Sequence, residues 1–199
     1  MPEQSTNRRT LVKGLAWATP VVLATSAVPA YAASRETAKS LQGKLLAGKS
    51  CTTAGAGTST LYIDGTKETY PTGGLWVGGV SRTDRVTNAS MTIYFPTSLG
   101  TLTWVNTRLA ADPTYVPVWT TPTLDSTAPV RSGYNAYTIR YSGGWAYNAT
   151  DRTYIADVPP KFASKISYAT CSAGINIYST RRVSVNGTPY TFTRGPVLL

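Results

Sequence analysis

Catalysis in this chain would have to rest on carboxylates, because the other common reagents are scarce. The sequence has no histidine and two cysteines, Cys51 and Cys171. A histidine-dependent triad, a histidine-ligated zinc site and a histidine proton relay are therefore excluded. Two cysteines cannot furnish a four-cysteine zinc or iron–sulfur site either. Beyond residue 32 the carboxylates are Glu36, Asp64, Glu68, Asp84, Asp112, Asp125, Asp151 and Asp157. A glycoside hydrolase needs two such groups facing each other across a cleft. No spacing in this set brings a pair together. Asp64, Asp112, Asp125 and Asp151 adjoin Gly, Pro, Ser or Thr, where aspartate closes turns. Serine chemistry lacks a base: Ser164 and Lys165 are adjacent and would point to opposite faces of a strand. Neither a nucleophile elbow nor a phosphate-binding loop is expected. The expectation is a non-enzyme with no catalytic residue, no metal and no cofactor.

Aromatic rings are the other candidate reagents. Trp119, Tyr137, Tyr141, Trp145 and Tyr147 crowd one stretch of chain beside Asn, Arg and Thr. Flat rings with polar tips suit stacking on sugar faces or a protein interface. These five are the candidate ligand-stacking residues. The competing reading is that tyrosine packs across strands on a sheet.

The elements that would position these groups are strands. Short runs alternate apolar and polar residues and are separated by Gly, Pro, Asn and Asp. Thr60–Asp64 closes on Asp64-Gly65, and Ala89–Phe95 puts Met91, Ile93 and Phe95 on one face. Tyr137–Tyr141 turns at Ser142-Gly143-Gly144 into Trp145–Tyr147, the pattern of a hairpin. Lys165–Cys171, Ile175–Ser179 and Arg182–Val185 read as further strands, and Asn186-Gly187 turns the chain into Pro189–Thr193. Roughly ten to twelve strands at this spacing imply an all-β sandwich or barrel. Residues 33–50 read as a lead-in, flexible or a short helix over Ser34–Ala47, with Leu41 and Leu45 four apart. Residues 51–199 are the expected sandwich domain. It resembles bacterial surface β-sandwich domains, immunoglobulin-like, jelly-roll-like or pilin-like, in strand pattern alone.

Residues 1–32 carry an address. Arg8-Arg9 is followed by Thr10, apolar Leu11 and Val12, and Lys13. A 15-residue, mildly apolar run from Gly14 to Val28 comes next, then Ala30-Tyr31-Ala32. That order of basic, apolar and small-residue regions is a cleavable secretory signal. The run TNRRTLVK resembles the twin-arginine export signal, in a style similar to that of actinobacteria. Cleavage after Ala32 is expected, with Ala30 and Ala32 as the small residues of the site. The resemblance implies an extracellular or cell-envelope protein with no stable membrane anchor after cleavage. In an oxidising compartment Cys51 and Cys171 would pair, closing a loop worth on the order of 4–5 kcal/mol in the chain-entropy account. Lys39, Lys44, Lys49 and Lys67 early, with Asn176 or Asn186 late, also have the gross arrangement of an intramolecular lysine–asparagine bond, provided a carboxylate lies beside them.

The net charge is +10, and losing the leader lowers it by two. Scattered positive charge fits an anionic cell-wall polymer better than nucleic acid, which favours a basic stripe. The sequence therefore points to an exported non-enzymatic structural or adhesion module, whose partner is an anionic wall polymer, a polysaccharide or another surface protein. A carbohydrate-binding module is the alternative, and a carboxylate-dependent glycoside hydrolase the third reading. Replacing Arg8-Arg9 by Lys-Lys is expected to abolish secretion, measured as the fraction of protein outside the cell; unchanged secretion would refute the twin-arginine assignment.

Overall fold

The computed structural model describes residues 38–44, 47–52 and 58–199. The export residues Arg8, Arg9, Leu11, Val12 and Lys13, and the cleavage residues Ala30 and Ala32, lie outside them. Lys39–Leu199 is a compact unit, and the fold is described for it.

It is an all-β, sandwich-like stack of three antiparallel sheets. The first sheet orders β1 (Ser40–Gln42), β4 (Trp76–Gly78), β10 (Thr153–Ala156) and β9 (Trp145–Asn148). The second orders β2 (Ala47–Ser50), β3 (Ser59–Asp64), β11 (Lys161–Ile166) and β6 (Trp104–Asn106). The third orders β13 (Thr188–Leu198), β12 (Asn176–Val185), β5 (Val86–Pro96), β8 (Tyr134–Arg140) and β7 (Thr123–Leu124). Two short helices, α1 (Thr107–Ala111) and α2 (Tyr168–Ser172), sit between strands.

Alternation drives the stacking. In β3 Ser59, Leu61 and Ile63 point inward while Thr60, Tyr62 and Asp64 are half-buried. Leu41 and Val77 from the first sheet, Leu61, Ile63 and Phe162 from the second, and Met91, Ile93 and Phe95 from the third form one core. Each such side chain contributes about 1.5–3 kcal/mol on burial. The other face of β5 is closed as well, because Thr92 and Tyr94 are buried. There Thr193, Thr180, Thr92, Thr138 and Thr123 stand opposite one another across all five strands. Two pairs of their hydroxyls meet, Thr92 with Thr138 at 2.8 Å and Thr180 with Thr193 at 3.1 Å.

Turn chemistry fixes the hairpins. Asn186 and Gly187 have φ of 52° and 83°, the left-handed pair that a two-residue turn between β12 and β13 requires. Gly48 lies opposite Tyr62, whose ring occupies the space a Cβ would fill; any larger residue would push that ring off β2.

Four sequence expectations are corrected. The described part of Ser34–Ala47 is strand, not helix: β1 pairs with β4 and β2 with β3, and Gly43 turns the chain between them at φ +113° against the carbonyl of Gly74. Strands thus begin at Ser40, before the expected domain start at Cys51. The Tyr137–Tyr147 stretch is not a hairpin, because β8 and β9 belong to different sheets and Ser142–Gly144 carries the chain from one layer to the next. Lys165–Cys171 is not one strand: β11 stops at Ile166, and Ser167 caps α2 by accepting from the Thr170 N–H at 3.1 Å. Finally, Ile175–Ser179 and Arg182–Val185 are parts of one strand, β12.

Cys51 and Cys171 form a disulfide with Cα atoms 5.5 Å apart across 120 residues. It ties the end of β2 to α2, and Lys49 Nζ donates to the Ala173 carbonyl beside it. Replacing both cysteines by alanine is expected to cost about 2–5 kcal/mol, read as a lower urea midpoint; a midpoint equal to that of the parent would remove the disulfide from any stabilising role.

Candidate functional site

Three of the five stacking candidates are buried. Trp119 is 2% exposed, Tyr137 1% and Tyr141 8%, so none offers a ring face to a ligand. Their polar tips are spent on the backbone, as buried tips must be. Trp119 Nε1 donates to the Val158 carbonyl at 2.6 Å, Tyr141 Oη donates to Gly144 O at 2.6 Å, and Tyr137 Oη accepts from the Leu102 N–H at 2.8 Å. Trp119 lies on Tyr141 with ring centres 4.6 Å apart, and Trp145 meets Tyr141 edge-on at 5.6 Å. Trp145 and Tyr147 are half-buried and pack against the core. Tyr147 meets Tyr154 at 5.0 Å and donates to the Val80 carbonyl at 3.3 Å. The cluster joins layers where a sugar-binding row was expected, because the Ser142–Gly144 crossing folds these rings between two sheets.

A different aromatic pair faces outward. Trp76 follows Leu75 and precedes Val77, both buried, so its side chain takes the opposite face of β4. Its ring reaches over Gly78, 3.4 Å from where a Cβ would stand. Tyr70 meets it edge-on at 5.4 Å, and both rings are half-buried. Tyr70 Oη donates to Asp151 Oδ2 at 2.8 Å, and Asn148 Nδ2 donates to the same oxygen at 2.9 Å. The hydrogen bond to Asp151 pushes the Tyr70 hydroxyl up. Sequence reading missed this pair; the alternation through Leu75, Trp76 and Val77 was the signal.

The carboxylates are committed to turns. Asp64, Asp112 and Asp125 each accept the backbone N–H and the hydroxyl of a threonine two residues on, Thr66, Thr114 and Thr127. The Thr127 hydroxyl first, then that of Thr138, hold Asp125 at about 2. For Asp64, burial raises the carboxyl but Thr66 outweighs it, leaving it lowered. A carboxyl held this far down is not available as a general acid near neutral pH. Among the described residues no group of three His, Cys, Asp or Glu side chains could hold a metal ion.

Of the early lysines, Lys39 shares a carboxylate with a late asparagine. Lys39 Nζ donates to Asp84 Oδ1 at 3.0 Å, and Asn186 Nδ2 donates to the same oxygen at 2.5 Å. The Ser81 N–H first, then Lys39 and Asn186, hold Asp84 at about 2. Lys44 pairs with Glu68 at 2.6 Å, Lys49 with Ala173 O, and Lys67 with the Tyr62 hydroxyl at 3.1 Å.

The run Gly43-Lys-Leu-Leu-Ala-Gly48-Lys49-Ser50 formally spells a phosphate-loop pattern. It does not make one. Gly48, Lys49 and Ser50 lie in β2, paired with Tyr62, Leu61 and Thr60, whereas the motif requires a loop that opens a helix.

Comparison with family models, curated proteins and solved structures returns no match.

Because Asp84 and Asp125 are held at about 2 against an ordinary 3.8, their contribution is complete above the ordinary value and is lost as pH falls through it toward 2. The unfolding midpoint is expected to fall across that acid window and to stay level above about pH 5. Asp125→Asn should make the acid fall shallower; an unchanged slope would show that Asp125 contributes nothing to it.

Proposed function

We propose that this protein is an exported, non-enzymatic module of the cell envelope, structural or adhesive, held to anionic wall polymer by charge. The supporting observation is the imbalance of its surface. Arg82, Arg85, Arg108, Arg140, Arg152, Lys161 and Lys165 are exposed. The described residues contain two ion pairs, Lys39–Asp84 and Lys44–Glu68, and neither involves these seven. Such a surface attracts a polyanion at long range and releases it in salt. The disulfide fits an oxidising compartment. Among the described residues no helix is long and apolar enough to cross a membrane.

Carbohydrate binding is the second reading, favoured by the outward Tyr70–Trp76 pair beside Asn148 and Asp151. Secreted protein is expected to stay on purified anionic wall polymer at low salt and to elute as salt rises past the range where the Debye length falls below about 8 Å. Retention that persists in high salt, is competed by neutral oligosaccharide and is lost in Trp76→Ala would overturn the electrostatic reading in favour of the second.

A further inference from the structure

Sheet edges are not all guarded alike in this fold. Among the described residues, the edge strands β1, β9, β2, β6 and β7 are two to four residues long. So short an edge offers little to an incoming strand. β13 differs: it ends the third sheet and runs for 11 residues. The features that blunt a long edge, proline and a break in register, sit toward its ends. They are Pro189 and the Gly195-Pro196 step, where the pairing with β12 shifts. Between them Tyr190, Thr191, Phe192 and Thr193 carry no charge, no proline and no glycine. Aromatic and β-branched residues of this kind favour an extended, paired backbone.

The turn before β13 decides which of its backbone groups face outward. Asn186-Gly187 is a two-residue turn, so Val185 and Thr188 flank it as a hydrogen-bonded pair. Such pairs alternate with non-bonded ones along an antiparallel ladder. Thr188, Tyr190, Phe192 and Arg194 therefore bond to β12, and Pro189, Thr191 and Thr193 turn their backbone groups away from it. Pro189 fits this scheme, because the N–H that it lacks would have faced outward. Thr191 and Thr193 are exposed. Among the described residues no strand pairs with them on that side.

We infer that β13 pairs edge to edge with β13 of a second copy of this chain, antiparallel, about a two-fold axis at Phe192. In that register Thr191 of each copy faces Thr193 of the other, and the outward N–H and C=O groups of both threonines are all used. The two five-stranded sheets become one. Phe192, half-buried in the single copy, meets its own counterpart at a non-bonded position, where side chains approach most closely. Arg194 faces Tyr190 of the second copy, so no cation stands opposite a cation. A foreign strand could use the same backbone groups. Self-pairing is favoured because one register satisfies those groups, sets ring against ring and keeps the arginines apart. The paired surface is small beside that of a permanent dimer, so association belongs to high concentration. Each copy carries a charge of +10, so salt strengthens the pairing by screening. Retention on a polyanion weakens in salt, so the two readings stand or fall separately.

The test is sedimentation of the purified full chain from micromolar to millimolar concentration. The mean mass is expected to rise from 21.3 kDa toward twice that value, and to rise further at high salt than at low. Thr191→Pro removes an outward N–H and leaves the bonds to β12 in place. It is expected to stay monomeric with an unchanged circular-dichroism spectrum. Under mild oxidation Phe192→Cys is expected to yield a covalent dimer, and Thr188→Cys is not, because the two copies of position 188 lie far apart in this register. A wild-type mass that stays at 21.3 kDa throughout would leave the edge to a foreign strand and overturn the inference. Association that Thr191→Pro retains would belong to another face and overturn it too. Where Thr191→Pro fails to fold, the crosslinking contrast decides, and equal yields at positions 188 and 192 overturn the register.

Discussion

Shortage of negative charge governs this molecule. Nineteen Lys and Arg face nine Asp and Glu, and the described carboxylates that have partners divide between closing local turns and tying distant segments together. Asp64, Asp112 and Asp125 each clamp a threonine two residues on. Asp84 and Glu68 each take a lysine, and Asp151 takes Tyr70 and Asn148. In the first three the carboxylate stiffens its own turn. Two consequences follow from one cause: most exposed cations are in no ion pair among the described residues, and the cation in the core, Arg181, has no hydrogen-bonded counterion.

The layers tolerate such a core because their cohesion does not depend on charge. Residues from all three sheets meet in one apolar cluster, and Thr92, Thr138 and Thr180 on the other face of the third sheet are buried as well. The disulfide adds a covalent tie at the edge of the second sheet, where β2 contributes only Ala47–Ser50 and little apolar surface. Lys39, Asp84 and Asn186 make a polar counterpart at another place. They draw the chain just before β1, the loop before β5 and the β12–β13 turn onto one carboxylate oxygen.

What the sequence made legible was local. Alternation in β3 and β5, the Asn186-Gly187 turn and the turn-forming aspartates can be read from neighbouring residues. The pairing of Cys51 with Cys171 follows because no other cysteine exists. What it hid was set by contacts distant in sequence. Tyr137 is buried against Phe95 and Trp104, and its hydroxyl meets the Leu102 N–H, 35 residues away. The Ser142–Gly144 link has the composition of a hairpin turn, and only sheet order shows that it changes layers. Ser167 looks like a strand residue until its hydroxyl caps α2. Arg181 and Arg182 are adjacent, and two-residue alternation with Ile177, Val183 and Val185 sends Arg181 inward.

The fate of the aromatic residues sharpens the functional choice. A ring serves a ligand through its face and the fold through its edge and tip. Trp119, Tyr137 and Tyr141 spend rings and polar tips on the surrounding fold. Removing any of them would loosen the sandwich before it affected a ligand, so loss of binding in such variants could not by itself identify a sugar site. Trp76 differs because it lies on the outer face over Gly78, with Tyr70 beside it and Val77, not Trp76, filling the core from β4. That difference in placement makes Trp76 a position where recognition of a neutral sugar and integrity of the fold can be separated, while the uncompensated cations remain the larger and less specific attraction.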